Sequence, residues 1–179
     1  SNGIEALRTS LNRAYRVADS RSIIFRRVQS FAFVFVATLG FLAISVLLVL
    51  APLIADIAER NLSWIGPYMG TITLWRYVIA SGVIVFGLFA VHLWLPAGHR
   101  SFGDVIPGIV FTLIAWLAGS SIFAAYLRQF STYVSTYAGL ASVMIAVIFL
   151  YIISALFILG GEFNAAIKRY LDARSRIAG

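Results

Sequence analysis

Cysteine is absent from the 179 residues. That removes disulfides, thiolate metal sites and cysteine nucleophiles together, and leaves the compartment open. Charge is scarce as well. Only 12% of residues are Asp, Glu, Lys or Arg, against about 25% in an ordinary soluble chain. Catalytic signatures are missing. There is no GxxxxGK[ST] loop, no GxSxG elbow, no HExxH and no cluster of carboxylates suited to two metals. No enzyme activity, cofactor or resident metal is expected. Hydrophobic residues make up 61% of the chain and the mean hydropathy is +0.92. So few polar side chains cannot coat a water-soluble globule of this size, so lipid is the expected solvent.

Crossing the hydrocarbon core takes about 20 apolar residues in a helix. Four stretches carry no charge, with His92 taken as neutral: Val28 to Ala55, Tyr77 to Gly98, Val105 to Leu127, and Gln129 to Gly161. Each holds one span, with cores near 31–53, 74–95, 106–127 and 138–160. The breakers fall around them. Pro52 marks the end of the first span. Asn61 to Pro67 reads as a loop, and Pro96, Gly98 and Gly103 mark a second one. The predicted fold class is all-α: a polytopic transmembrane helical bundle of four spans, preceded by an N-terminal interfacial amphipathic helix. The division is 1–27 for that interfacial segment, 28–167 for the bundle and 168–179 for a basic tail.

Arginines set the orientation. Arg8, Arg13, Arg16, Arg21, Arg26 and Arg27 precede the first span, and Lys168, Arg169, Arg174 and Arg176 follow the last. Basic residues stay on the cytoplasmic side, so both ends are predicted inside, which an even number of spans allows. The net charge of +7 is then a membrane-surface feature, and no nucleic-acid partner is expected. Ile4, Leu7, Leu11, Ala14 and Tyr15 recur at helical spacing, with Arg8, Asn12, Arg13 and Arg16 largely off that stripe. Such a helix suits the headgroup region beside anionic lipid. Its apolar face could equally pack on the protein's own loops or on helices upstream of Ser1. The chain starts at Ser1, and Ser1 to Arg27 has no apolar region ahead of its arginines. It does not read as a signal peptide; the expectation is a piece of a longer protein, or a processed one.

Charges inside a membrane are costly and so draw attention to function. Arg76 lies between Trp75 and Tyr77 near the outer surface, as an interfacial anchor or a contact for an anionic headgroup. His92 sits near the inner end of the second span, as a carbonyl-bonded histidine or a proton relay with Asp104 or Glu162. His92 and His99 with Asp104 match no metal-site spacing. Glu162 and Asn164 fall in Gly160-Gly161-Glu162-Phe163-Asn164, placing a carboxylate and an amide at the predicted cytoplasmic mouth, or simply ending a helix in polar residues. Tyr133 and Tyr137 belong to a hydroxyl-rich outer segment that suits an interface belt or a sugar or phosphate headgroup. Ala115, Gly119, Ser120, Ser121, Ala124 and Ala125 in the third span, and Ala138, Ser142 and Ala146 in the fourth, form small-residue faces for helix contact. Pro107-Gly108 and Gly139 are candidate breaks in those helices.

The order of these features resembles the YihY/BrkB family of bacterial inner-membrane proteins. The likeness begins at Ser1-Asn2-Gly3-Ile4-Glu5-Ala6-Leu7, Leu11-Asn12-Arg13-Ala14-Tyr15 and Arg21. It resumes at Leu95-Pro96, Asp104-Val105-Ile106-Pro107-Gly108 and Trp116. It is strongest in the tail: Tyr126-Leu127, Phe130, Tyr133, Thr136 to Leu140, Leu150-Tyr151 and Gly160 to Ala165. Family members often have YG where this chain has Tyr137-Ala138-Gly139, and Trp where it has Phe149. The resemblance implies six spans with both ends inside, two of them upstream of Ser1. It also implies an old ribonuclease BN label, a mislabelling that these residues do not support, a link to virulence, and a connection with export of lipid or lipopolysaccharide precursors. The leading expectation is transport or permeation of a lipid or other amphiphile across the inner membrane. Glu162 and Asn164 would lie at the inner mouth, and Arg76, Tyr133 and Tyr137 at the outer. The alternative is a non-transporting envelope assembly protein, with itself or other envelope proteins as partners besides membrane lipids. A membrane-bound hydrolase or ribonuclease ranks last.

Overall fold

Ser22 opens the first long helix. Its backbone is extended, and its hydroxyl accepts a hydrogen bond from the Phe25 N–H at 3.2 Å, satisfying one of the donors that a helix start leaves unpaired. The computed structural model describes residues 2–129 and 138–178, and every regular element among them is helical. In order these are α1 (Asn2–Tyr15), α2 (Ile23–Ser45), a π-helical turn (Val46–Leu50), α3 (Ala51–Asn61), a 3-10 helix (Ser63–Tyr68), α4 (Met69–Trp94), α5 (Phe102–Gln129) and α6 (Ala138–Ala178). Four stretches, Ile23–Asn61, Trp64–Trp94, Phe102–Gln129 and Gly139–Ile177, are long and apolar enough to cross a membrane.

Two boundaries differ from the sequence reading. The first helix does not stop at Pro52. A proline lacks the N–H that the carbonyl four residues earlier would accept. The π-helical turn at Val46–Leu50 sits just before it, and such one-turn widenings let a helix continue through a break in its bonding. Pro52 then occupies the first turn of α3, where its missing N–H costs least. The stretch around Asn61 to Pro67 is not open loop, because Ser63–Tyr68 winds into a 3-10 helix. The candidate break at Pro107 is not a break, since α5 runs through it, while Gly139 is the second residue of α6 and borders residues outside those described.

The chain forms two units, Ser1–Ala6 with Ser20–Leu95, and Leu7–Asp19 with Pro96–Gly179. In the first, α2 runs antiparallel to α4. Arg21 donates to the Leu95 carbonyl at 3.0 Å and Gln29 to the Trp94 carbonyl at 2.5 Å, so the start of α2 closes the unpaired carbonyls at the end of α4. The Ile23–Asn61 stretch buries none of its most apolar window. Phe31, Phe35, Phe41, Leu42, Leu53 and Ile54 are all exposed. A water-soluble protein does not present such a surface; in lipid it is the ordinary outer face.

In the second unit, α5 and α6 pack antiparallel along a long seam. The Phe123 and Phe149 rings stack at 5.7 Å, the Trp116 indole N–H donates to the Ile153 carbonyl at 2.9 Å, and the Phe111 and Phe163 rings stack at 5.1 Å. Gly119 faces Leu156 closely enough that any side chain would displace it, with Ile152 in ordinary contact beside it. Of the predicted small-residue faces, Gly119 is used in this way. Ser121, Ala124, Ala125, Ser142 and Ala146 point outward instead. Further along, at Gly108 and Gly160, the two backbones meet directly. The later part of α1 packs in this unit through a fully buried Leu11, whose Cδ2 fills the space a Gly161 side chain would need. Leu11 of the apolar stripe is thus used inside the protein, Leu7, Ala14 and Tyr15 are half-buried, and Arg8, expected off the stripe, is buried beside Leu11.

At the end of α1 the Arg16 N–H bonds the Arg13 carbonyl and the Val17 N–H bonds the Asn12 carbonyl, both at 3.0 Å. This pair of bonds closes many helices, with the residue at the Arg16 position in a left-handed conformation and normally glycine. Here it is arginine at φ 55°, the one non-glycine with positive φ among the described residues, at a cost of roughly 1–2 kcal/mol. Gly98, at φ 88°, meets the same demand with no side chain in the turn between α4 and α5.

Candidate functional site

The polar residues of the second unit gather where the start of α5 crosses the Gly160 to Asn164 stretch of α6. Two glycines make the crossing. A Cβ on Gly160 would strike the Thr112 side chain and the Gly108 carbonyl oxygen. One on Gly108 would strike the Gly160 carbonyl and the Asn164 amide. Thr112 turns its hydroxyl back to the Gly108 carbonyl at 2.7 Å, the usual way a buried threonine satisfies itself in a helix.

Asn164 is fully buried in this crossing. Its Oδ1 accepts the Gly108 N–H at 2.5 Å and its Nδ2 donates to the Val105 carbonyl at 3.1 Å. Pro107, one residue before Gly108, cannot donate at all. The amide therefore serves the first turns of α5 from across the seam. Four residues on, Lys168 bonds the Asp104 carboxylate at 2.7 Å, fastening the same ends at the surface. Asp104 also accepts the Ser101 N–H at 3.1 Å.

Around this clamp lie side chains that the sequence reading did not single out as site residues. Tyr15, at the end of α1, has its hydroxyl buried beside Asn164 without a well-formed hydrogen bond. Burial holds its phenol above the ordinary tyrosine range, while the Asn164 amide and the Arg100 guanidinium pull the other way by less. The Arg100 guanidinium lies over the Tyr15 ring at 3.8 Å and donates to the Ala97 carbonyl at 2.9 Å. Asn12 accepts the Ala97 N–H at 2.7 Å and reaches Asp19 at 3.4 Å. The available signal was the spacing itself: Pro-Gly-x-x-x-Thr on one apolar helix and Gly-Gly-x-x-Asn on another supply two gaps and two polar groups to fill them.

The predicted residues divide sharply. Asp104 and Asn164 come together. Glu162 does not join them: two residues before Asn164 it points to nearly the opposite side of α6. It is exposed, between the exposed Leu159 and Phe163, and makes no hydrogen bond or ion pair among the described residues. His92 and Arg76 lie on α4, in the first unit. His92 is fully buried with Nδ1 3.0 Å from the Leu88 carbonyl, so that nitrogen carries the proton in this bond. Arg76 is half-buried, its guanidinium over the neighbouring Tyr77 ring at 4.9 Å. Tyr133 and Tyr137 lie outside the described residues. Among the described residues no three His, Cys, Asp or Glu side chains form a group able to hold a metal.

The whole chain, residues 1–179, matches the family model described as Virulence factor BrkB. One similar protein is the ribonuclease-like protein YfkH of Bacillus subtilis (strain 168), 30% identical over 172 residues, which cover 94% of this chain and 62% of that protein. The chain thus spans about three fifths of the relative's length. No solved structure matches. A match along the full length, on a chain whose long helices present apolar faces throughout, leads to one assignment: this membrane protein belongs to the BrkB family.

Proposed function

We propose that this chain is part of an inner-membrane protein, with both ends in the cytoplasm, that moves a lipid or other amphiphile across the bilayer. The observation that carries the reading is Glu162. It is an exposed carboxylate, unpaired among the described residues, on an otherwise apolar helix face, flanked by Leu159 and Phe163. An unpaired charge at the edge of a spanning helix is expensive to keep, and a carboxylate beside apolar side chains suits a molecule with a polar head and an apolar tail. The buried Asn164 clamp holds that part of α6 rigidly against α5, so the carboxylate stands on a fixed platform.

The full-length protein reconstituted in vesicles with fluorescent lipid provides the test. Quenching of the outer-leaflet dye beyond the outer-leaflet fraction, lost in Glu162→Gln, is the expected result. Quenching equal to that of empty vesicles, across several headgroups and with an imposed proton gradient, would overturn the proposal.

A second reading, a non-transporting envelope assembly protein, draws on the first span. Ile23–Asn61 buries none of its apolar window, a face suited to another helix as much as to lipid. Association of labelled copies in a bilayer, unaffected by Glu162→Gln, is what that reading expects.

A further inference from the structure

We propose that the end of α1 is a contact site for anionic phospholipid headgroups, made by Arg13 and Arg16. Both side chains are exposed, and neither guanidinium has a hydrogen bond or ion pair among the described residues. Arg16 occupies the left-handed position of the turn that closes α1, where glycine is the usual residue. A strained conformation kept by an exposed side chain with no hydrogen bond or ion pair among the described residues points to a use outside the protein. Positive charge near a helix C-terminus is favourable on its own, yet Arg13 already supplies that from within the last turn. A lysine or arginine need not sit on the strained residue for the helix's sake.

The turn is also held in place. Leu11 is fully buried against Gly161, and Asn12 ties the turn to the Ala97 N–H at 2.7 Å. Leu11, in the middle of the apolar stripe, is therefore spent inside the protein, and Leu7, Ala14 and Tyr15 are half-buried. Between Asn12 and Arg16 the exposed residues are Arg13 and Arg16. The attraction is then electrostatic, without insertion, and the partner is a surface dense in phosphate such as a leaflet rich in phosphatidylglycerol. Such attraction falls off within a Debye length, so salt should abolish it. Binding is read here without translocation, so this proposal stands or falls apart from the transport reading.

The experiment titrates headgroup-labelled phosphatidylglycerol against the full-length protein in zwitterionic detergent, with thermal unfolding measured on the same samples. Removing one charge should loosen phosphatidylglycerol about five-fold at low salt, as expected for one arginine near an anionic surface. Arg13→Gln and Arg16→Gly should both show this, and Arg16→Lys should not. Arg16→Gly should meanwhile unfold at a higher temperature, because glycine relieves the turn; weaker binding from a more stable protein excludes misfolding as the cause. Unchanged affinity in both charge-removing variants would overturn the proposal. So would equally tight binding of phosphatidylcholine. Displacement of the labelled lipid by inorganic phosphate as effectively as by unlabelled phosphatidylglycerol would also overturn it, by assigning the site to a soluble anion.

Discussion

Asn164 and Glu162 are two residues apart, yet they face different environments and should respond differently to substitution. The Asn164 amide is buried and meets two backbone groups of α5. Replacing it with alanine removes the bonds to the Gly108 N–H and the Val105 carbonyl from an apolar seam. Two buried hydrogen bonds so lost cost about 1–3 kcal/mol. Asn164→Ala should lower thermal stability in detergent by that order, whereas Glu162→Gln, which removes an unpaired charge and breaks no bond among the described residues, should not lower it. The same pair separates structure from activity. If Glu162 lies in a transport path, Glu162→Gln loses translocation in a protein that is otherwise as stable as the parent.

At the scale of the elements, α5 and α6 are held by closeness more than by bulk. Gly108 and Gly160 allow backbone to touch backbone, and Asn164 and Thr112 fill the polar needs of the crossing. A methyl group at either glycine has nowhere to go. Overfilling a packed site costs about 1–3 kcal/mol. Gly108→Ala should be the worse of the two, because its nearest obstacle is the Gly160 carbonyl, which cannot swing aside. Gly160→Ala meets the Thr112 side chain first, and combining it with Thr112→Ala should recover part of the loss. Thermal midpoints of the two single variants and this double variant give the comparison. Equal losses for both glycines, with no recovery, would mean that the helices separate here at little cost.

For the whole molecule, the proposal of an even number of spans places both ends of this chain on the same side of the membrane. The chain has no native cysteine, so introduced ones report without interference from it. Single cysteines at Thr9 and Ser175, both exposed on their helices, should react with a membrane-impermeant maleimide in inside-out vesicles and stay unlabelled in intact cells. Labelling of the two from opposite sides would exclude the four-span arrangement. The length of α6 bears on the same question. At 41 residues it is about 60 Å long, roughly twice the hydrocarbon thickness. Its basic end, from Lys168 to Arg176, continues as helix past any core that begins near Ala138.

Which stretches could live in lipid was legible in the residues alone. Long uncharged runs leave the backbone no solvent, so it must bond to itself as helix, and the helices at Ile23–Asn61, Trp64–Trp94, Phe102–Gln129 and Gly139–Ile177 follow from that. The family resemblance was legible too, because its motifs, from Asp104 to Gly108 and above all from Gly160 to Ala165, are local runs of sequence that need no fold to be read. The fate of Pro52 was not, because a proline signals a break only until a neighbouring π-helical turn absorbs it. The outward course of Ser142 and Ala146 was not either: small residues permit close packing, but which face is taken depends on the partner helix. The site divided along the same line. A list of polar residues in apolar sequence contains Glu162 and Asn164 alike. Only the crossing of α5 and α6 turns one inward as a clamp and leaves the other exposed, since a side chain's direction is set by the helix it meets and not by its own chemistry.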